Sequence, residues 1–249
     1  MKVLPSNFHI YDYATQVIGF GHDSINDDYR LFISTPISHR SCDEIFRGRR
    51  FELYRAKTKT WTTLGTGFSD YFGFEYGCAF VRNHNALHWI IAPRRGGFVY
   101  HVERFVLAFD LATEELAKFS MPKFQEETYC EYKPVEFGGY LCVFSGYEDA
   151  CRLDMWAMME YGESTTWAKL FSVVPSSNYS ALKPLTYNYK TSDEVLLIVD
   201  RERFILYDLK TNTEKEVNIS GLPNGPIRYF DSELCVSSLV RLDDAMISC

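Results

Sequence analysis

The sequence predicts an all-β protein, a propeller-like ring of antiparallel hairpin blades, and three observations support this. Helical periodicity over ten or more residues is hard to find. Short β-branched and aromatic runs instead recur, separated by Gly, Pro, Asn, Asp or Thr, which is typical of strands and turns. The 249 residues include 19 Phe, 17 Tyr and 4 Trp, whose broad rings pack across strands better than along helices. A hairpin-like segment also recurs roughly every 50 residues, a period typical of propeller blades.

The repeated segment is an apolar run that ends in an aromatic residue or Met, followed by a short polar turn and a second run. Its four copies are 51–64, 105–119, 153–171 and 204–219. The matching positions in the four copies are Tyr54, Phe109, Met158 and Tyr207. Shorter apolar pieces are expected to supply the inner strands, at 78–91, 135–144 and 193–199. A β-sandwich, which also has many short strands, is the alternative fold.

Charge and apolar patterning exclude several kinds of partner. The net charge of −7 leaves no overall surplus of Lys and Arg, so we expect no nucleic-acid partner. A local basic run is interpreted as a solvated strand edge, and consists of Arg47, Arg49, Arg50, Arg55, Lys57 and Lys59. We expect no membrane contact, since no window approaches the roughly 18 apolar residues of a span. Seven cysteines without a C-x-x-C pair indicate reduced thiols and a cytoplasmic or nuclear location.

Motifs of catalysis are missing from the sequence. It has neither a G-x-S-x-G nucleophile elbow nor a G-x-x-x-x-G-K-[ST] phosphate loop. His84 and His88 have the spacing of two zinc ligands on a helix, but in a hairpin these side chains would lie far apart. We therefore predict a partly buried, hydrogen-bonded His88, and no catalytic residue, metal ligand or cofactor. The alternative is a propeller-type enzyme, such as a glycoside hydrolase, whose carboxylates converge in the central channel.

Residues 19–30, GFGHDSINDDYR, and four later motifs resemble, in order, the F-box-associated domain of plant F-box proteins. The later motifs are 86–90, 109–114, 156–162 with 166–171, and 194–197 with 207–210. The resemblance covers residues 17 to 240 or so. The residues that carry it are interpreted as mainly structural, and are Gly19, Phe20, Gly21, Asp23, Asp28, Tyr29, Leu87, His88, Trp89, Phe109, Asp110, Trp156, Met158, Tyr161, Gly162, Trp167, Lys169, Leu170, Tyr207 and Asp208.

The resemblance implies a protein-binding module that selects proteins for ubiquitination. Family members usually carry an N-terminal F-box that docks on the cullin adaptor of SCF-type ligases. We expect a remnant without an F-box at 1–18, a β domain at 19–240 and a tail at 241–249. Adaptor binding is thus expected only if an F-box is supplied upstream, and the ring is expected to be incomplete at its N-terminus. A non-functional truncated fragment is a further alternative.

The first motif is interpreted as strand, tight turn and strand. Gly19 and Gly21 are expected to adopt backbone angles closed to other residues, and Asp23 to form turn hydrogen bonds. The four tryptophans are predicted to pack in the core or between blades. Partner binding is assigned to loops on one rim of the ring, where sequence varies without disturbing blade packing. The candidate loops are rich in Tyr, Phe and Arg, and are 36–49, 65–77, 93–104, 120–133 and 145–152.

Overall fold

The computed structural model describes residues 17–40, 45–69, 72–74, 77–93, 103–124, 130–147, 152–175, 179, 182–187, 193–200 and 202–218. These residues form seventeen β-strands and two short 3-10 turns, Arg82–His84 and Ser164–Thr166. The strands are the short apolar and aromatic runs, and polar turn residues separate them, as period-two patterning requires. The prediction of an all-β protein is confirmed.

The strands form four antiparallel sheets, numbered here in chain order. Sheet 1 consists of β1 (Val17–Asp23), β2 (Asp28–Arg40), β3 (Ile45–Arg55) and β4 (Thr60–Ser69). Sheet 2 consists of β5 (Phe72–Phe74), β6 (Ala79–Val81), β7 (Ala86–Pro93), β8 (Phe105–Asp110) and β9 (Leu116–Ser120). Because β5 and β6 both pair with β7, they serve together as the first strand of sheet 2.

Sheets 3 and 4 have the same meander order. Sheet 3 consists of β10 (Cys130–Phe137), β11 (Tyr140–Tyr147), β12 (Arg152–Met158) and β13 (Trp167–Val173). Sheet 4 consists of β14 (Leu182–Tyr187), β15 (Glu194–Val199), β16 (Arg203–Asp208) and β17 (Thr213–Val217). Strands adjacent in sequence are therefore adjacent in space throughout, which short connections favour.

The predicted repeat coincides with the sheets. Tyr54, Phe109, Met158 and Tyr207 all lie on the third strand of their sheet, and each predicted hairpin pairs a third strand with a fourth. The predicted inner pieces supply first and second strands of sheets 2, 3 and 4. The segment 135–144 spans two strands joined by a turn at Gly138 and Gly139, whose φ values of 62° and 88° favour glycine. The segment 78–91 likewise contains both β6 and β7.

Three apolar clusters lie between consecutive sheets. The first joins sheets 1 and 2, the second joins sheets 2 and 3, and the third joins sheets 3 and 4. Because successive side chains of a strand point to opposite faces, sheets 2 and 3 each contribute to two clusters. A two-layer sandwich has one core between two sheets, whereas four sheets packed in series fit a propeller. The propeller-type arrangement is confirmed.

The two ends of the sheets have different connections. At one end, here called the turn rim, the first strand of a sheet leads to the second and the third leads to the fourth. At the other end, here called the loop rim, the second strand leads to the third and each sheet leads to the next. All five candidate loops include strand ends at the loop rim.

Several boundaries proposed from the sequence fall on residues outside the described ranges. Residues 1–16 and 219–249 are among these, so the remnant, the tail and the incompleteness of the ring stay predictions. Sheet 1 itself contains four strands, of which β1 and β2 carry the first motif.

Candidate partner-binding rim

Asp23, at the end of β1, is the centre of a hydrogen-bond network at the turn rim. Its buried carboxylate accepts hydrogen bonds from the backbone N–H groups of Ile25 (3.1 Å) and Asn26 (3.2 Å). The side-chain amides of Asn26 and Asn85 also donate to it, at 2.7 Å and 3.0 Å. Burial alone would raise the pKa of Asp23, but these hydrogen bonds outweigh it and hold the pKa below its ordinary value. The ionised carboxylate therefore fixes the turn after β1.

Arg30, on β2, extends this network from sheet 1 to sheet 2. Its guanidinium donates to Asp23 Oδ2 at 2.9 Å and to Glu114 Oε1 at 2.7 Å. Arg55, on β3, also donates to the Glu114 carboxylate, with 2.6 Å between its Nη2 and Glu114 Oε2. Glu114 lies between β8 and β9, so buried and half-buried charges of two sheets neutralise one another. Arg55 is thus paired, and its interpretation as part of a solvated edge is wrong.

Asn85 is a residue of this network that the sequence analysis missed. It follows the turn Arg82–His84 and has a left-handed φ of 52°. Besides donating to Asp23, it accepts a hydrogen bond from the N–H of Ser24 through Oδ1, at 2.9 Å. Its backbone carbonyl accepts from the N–H of Leu111 at 2.9 Å. The available signal was an Asn in a short polar stretch, since Asn tolerates this conformation.

Gly19 and Gly21 have a different role from the one expected. Neither has a positive φ, and both lie in the extended strand β1. A Cβ on Gly19 would lie 2.5 Å from the Trp89 ring, and a Cβ on Gly21 would lie 2.7 Å from the Phe80 ring. These glycines therefore allow the backbone of sheet 1 to approach the side chains of sheet 2. Close packing, and not a backbone angle, explains the residue type.

His88 and His84 both contact Tyr161, which lies between β12 and β13. Tyr161 Oη lies 2.8 Å from His88 Nε2, and because His88 Nδ1 faces the Ala79 carbonyl, which can only accept, Nε2 of the neutral ring accepts from the tyrosine hydroxyl. The His84 ring stacks on the Tyr161 ring at 3.7 Å. The prediction of a hydrogen-bonded His88 is confirmed, but the side chain is fully and not partly buried. Both histidines lie against the same tyrosine ring. Burial lowers the pKa of His88 to about 4 and raises the pKa of Tyr161 to about 12. The neutral trio links sheet 2 to sheet 3.

The other motif residues also serve the framework. Asp110 and Asp208 accept two backbone N–H groups each from the turns that follow them, at 2.8–2.9 Å. Trp167 donates its indole N–H to the carbonyl of Ser120 at 2.8 Å, so it bridges sheets 3 and 2 as predicted. The buried members are Asp28, Leu87, Trp89, Phe109, Met158 and Tyr207, and Phe20 and Leu170 are exposed. The Phe20 ring stacks on the Tyr29 ring of the neighbouring strand. Gly162, in the connection between β12 and β13, has a positive φ of 91°. Trp156 and Lys169 lie on β12 and β13 of sheet 3.

The loop rim has cationic and aromatic side chains at the junctions between sheets. Arg49, in the first half of β3, lies 5.0 Å from the Phe74 ring centroid of sheet 2. It also donates to Ser34 Oγ at 2.6 Å and is nearly fully buried, so it is not a solvated edge residue. Between sheets 2 and 3, Arg104 lies 4.8 Å from the Tyr132 ring, which contacts Phe124. Arg104 and Phe124 are half-buried, and Arg and aromatic residues are common anchors of protein interfaces.

Asp154 organises the charges on sheet 3 near the loop rim. Its buried carboxylate accepts from Ser172 Oγ at 2.7 Å and from Lys169 Nζ at 2.9 Å, and Arg152 Nε lies 3.2 Å away. The burial of one anion is therefore compensated by two cations and a hydroxyl. A carboxylate held in this way has a structural role, and it is not arranged as a general acid or base.

Within the described ranges, no group of three or more His, Cys, Asp or Glu side chains is arranged to hold a metal ion. In the same part of the chain, no helix has the length and apolar content needed to cross a membrane. The described residues form an end surface with aromatic and cationic groups on four packed antiparallel sheets. Its geometry defines the chain as an all-β propeller whose features suit binding.

Comparison with known proteins assigns the family. A family model described as the F-box associated beta propeller domain matches residues 2–239, and the chain belongs to this family. F-box protein CPR1 of Arabidopsis thaliana is 29% identical over 240 residues, which cover 89% of this chain and 55% of that protein. F-box protein At4g22390 of the same plant is 24% identical over 260 residues, which cover 96% of this chain and 61% of that protein. The chain thus spans under two thirds of the length of these relatives.

Solved structures give weaker similarity. Dipeptidyl peptidase 4 of Porphyromonas gingivalis has a TM-score of 0.44 and 9% sequence identity, covering 78% of this chain and 36% of that one. A similarity at this level carries no argument about the function of the present chain.

Proposed function

We propose that this chain is the protein-binding part of an SCF-type ubiquitin-ligase receptor and that it contacts its protein partner through the loop rim. The observation that carries the proposal is membership of the F-box-associated family, whose matching relatives are F-box proteins. The proposal is of a binding protein, not of an enzyme, and it requires no cofactor.

The assignment to the loop rim is supported by the way the turn rim is used. There, Asp23, Arg30, Asn85 and Glu114 hydrogen-bond to one another, Tyr161 hydrogen-bonds to His88, and these contacts hold neighbouring sheets together. Changing these residues to suit a partner would disturb the packing of the sheets. Cationic and aromatic groups at the loop rim, such as Arg104 and Phe124, lie where connections between strands are longer and tolerate change.

Adaptor binding is tested with purified proteins. The chain as given and a fusion that carries an F-box ahead of Met1 are each incubated with the cullin adaptor. We expect capture by the fusion only, because stable docking needs about 800 Å² of packed surface on each partner. Capture by the chain as given, at micromolar affinity or better, would contradict the expectation that an added F-box is needed.

The position of the partner surface is tested by two matched charge reversals. Arg104→Glu changes the loop rim, and Lys59→Glu makes the same change of charge in the exposed turn between β3 and β4. Proteins bound by the fusion in plant extract are quantified for both variants and for the parent. The proposal expects Arg104→Glu to lose a defined set of partners that Lys59→Glu retains. The reverse pattern would place the binding surface at the turn rim.

A further inference from the structure

Two buried donors near the loop rim have no hydrogen-bond partner. Ser145, on β11, is fully buried, and its hydroxyl is unpartnered; the same holds for the indole N–H of Trp156, on β12. In contrast, the indole N–H of Trp167 donates to a backbone carbonyl. A buried donor without a partner costs about 1–3 kcal/mol, and native proteins seldom leave one unexplained.

The two donors share one face of sheet 3. Ser145 is paired directly with Asp154 across the β11–β12 ladder, and Trp156 lies two residues further along β12. Directly paired residues and residues two apart on a strand point to the same side. Leu141 and Val143 of the same β11 face pack in the cluster between sheets 2 and 3, so this face is the one turned toward sheet 2.

The surroundings of the donors are aromatic and cationic. The Trp156 ring contacts the Phe124 ring edge-on at 5.8 Å, and Lys169 Nζ lies 5.3 Å from the Trp156 ring centroid. Trp156 and Phe124 are half-buried and Lys169 is exposed, so the cluster reaches the protein surface. An aromatic wall at the surface excludes water from part of the site and strengthens electrostatic contacts there.

Charge decides the kind of ligand. The two positive charges of Arg152 and Lys169 exceed the single negative charge of Asp154. The Arg104 guanidinium adds a third positive charge nearby, 4.8 Å from the Tyr132 ring centroid. An indole N–H can only donate, so the ligand atom beside Trp156 must accept. A carboxylate supplies two acceptor oxygens and the negative charge that these cations favour.

We propose that Ser145 and Trp156 form a carboxylate-binding subsite of the loop rim, which takes an Asp or Glu side chain of the partner protein. This assignment rests on the proposed function, because it names the chemistry of the partner at the same rim. Asp154 positions Lys169 and Arg152 beside the subsite, and Phe124 holds the indole ring.

The test uses a small probe and so does not depend on the identity of the partner. The full chain, labelled with ¹⁵N, is titrated with N-acetyl-glutamate N-methylamide at constant ionic strength, and the indole N–H resonances are followed. N-acetyl-glutamine N-methylamide, which has the same shape without the charge, is the control ligand. Trp156→Phe assigns the resonance, since it keeps the ring contact and removes the N–H.

We expect a saturable shift of the Trp156 resonance with the glutamate probe, little shift with the glutamine probe, and unchanged Trp89 and Trp167 resonances. Ser145→Ala should weaken glutamate binding about tenfold, the effect of losing one hydrogen bond to a charged group. Absence of a shift, an equal response to both probes, or unchanged affinity in Ser145→Ala would each overturn the assignment. Such a result would leave the proposed receptor function standing, because that function is tested by adaptor and partner capture.

Discussion

The turn rim and the loop rim of the same four sheets differ in how far their buried polar groups join neighbouring sheets. At the turn rim, Asp23 accepts five hydrogen bonds from Ile25, Asn26, Arg30 and Asn85, and Glu114 joins two arginines. Near the loop rim, two donors that are fully buried find no partner. The turn-rim network therefore joins sheets 1 and 2, whereas the loop rim contains the two donors that we propose meet a ligand.

The strongest test of this comparison is the buried charge at the turn rim. Asp23→Asn removes the negative charge that Arg30 needs, and we expect a loss of about 3 kcal/mol in the free energy of unfolding. Asp27→Asn, in the same turn, is the matched control because the Asp27 side chain is 75% exposed, and it should change stability by about 0.5 kcal/mol or less. Urea unfolding monitored by tryptophan fluorescence measures both. Equal effects would show that Asp23 does not fasten the sheets.

A second test concerns close packing of the backbone. Gly21→Ala places a methyl group 2.7 Å from the Phe80 ring, and we expect a loss of about 2 kcal/mol from overpacking. Gly146→Ala, near the loop-rim end of β11, is the control, since a Cβ there meets nothing within 4 Å. In the same urea experiment, the free energy of unfolding of the control should lie within about 0.5 kcal/mol of that of the parent. A stable Gly21→Ala protein would mean that sheets 1 and 2 do not approach this closely.

The third test is the pH dependence of the His88–Tyr161 contact. The folded pKa of His88, about 4, lies below its unfolded value of 6.5, so protons bind the unfolded chain more tightly. Stability from this group is fully present above pH 6.5 and is lost as the pH falls toward 4. Between pH 7 and pH 5, the free energy of unfolding is expected to fall by about 2 kcal/mol because of this group. His88→Gln, which still accepts the tyrosine hydrogen bond, should lose this part of the pH dependence; an unchanged profile would contradict the assignment.

The smallest expected effect comes from the junction made by Trp167. Trp167→Phe keeps an aromatic ring but removes the N–H that donates to the Ser120 carbonyl, at a cost of about 1 kcal/mol. Trp156→Phe is the matched control, because the N–H that it removes has no partner, and its stability should equal that of the parent or exceed it. A larger loss for Trp156→Phe would show that its N–H is satisfied in the folded protein.

The sequence predicted what depends on local pattern. Period-two runs and turn residues indicated the strands, and the spacing of Tyr54, Phe109, Met158 and Tyr207 indicated four third strands. The sequence did not predict which residues far apart in the chain form hydrogen bonds with one another. Glu114 is 84 residues from Arg30, and Tyr161 is 73 residues from His88, so no local pattern connects them. The role of Gly19 was misread for the same reason, because the Trp89 ring it accommodates belongs to another sheet.

The series of shared cores also has a consequence for how the protein opens. Opening sheet 2 exposes two apolar clusters at once, whereas sheet 1 takes part in only one of the clusters that the described residues form. The outer face of sheet 1 already exposes Ile18 and Phe20. Local unfolding therefore costs less at β1 than at β7, and backbone amides of β7 exchange with solvent hydrogen more slowly. Sheets 1 and 4, each in one of the described clusters, are therefore expected to open before sheets 2 and 3.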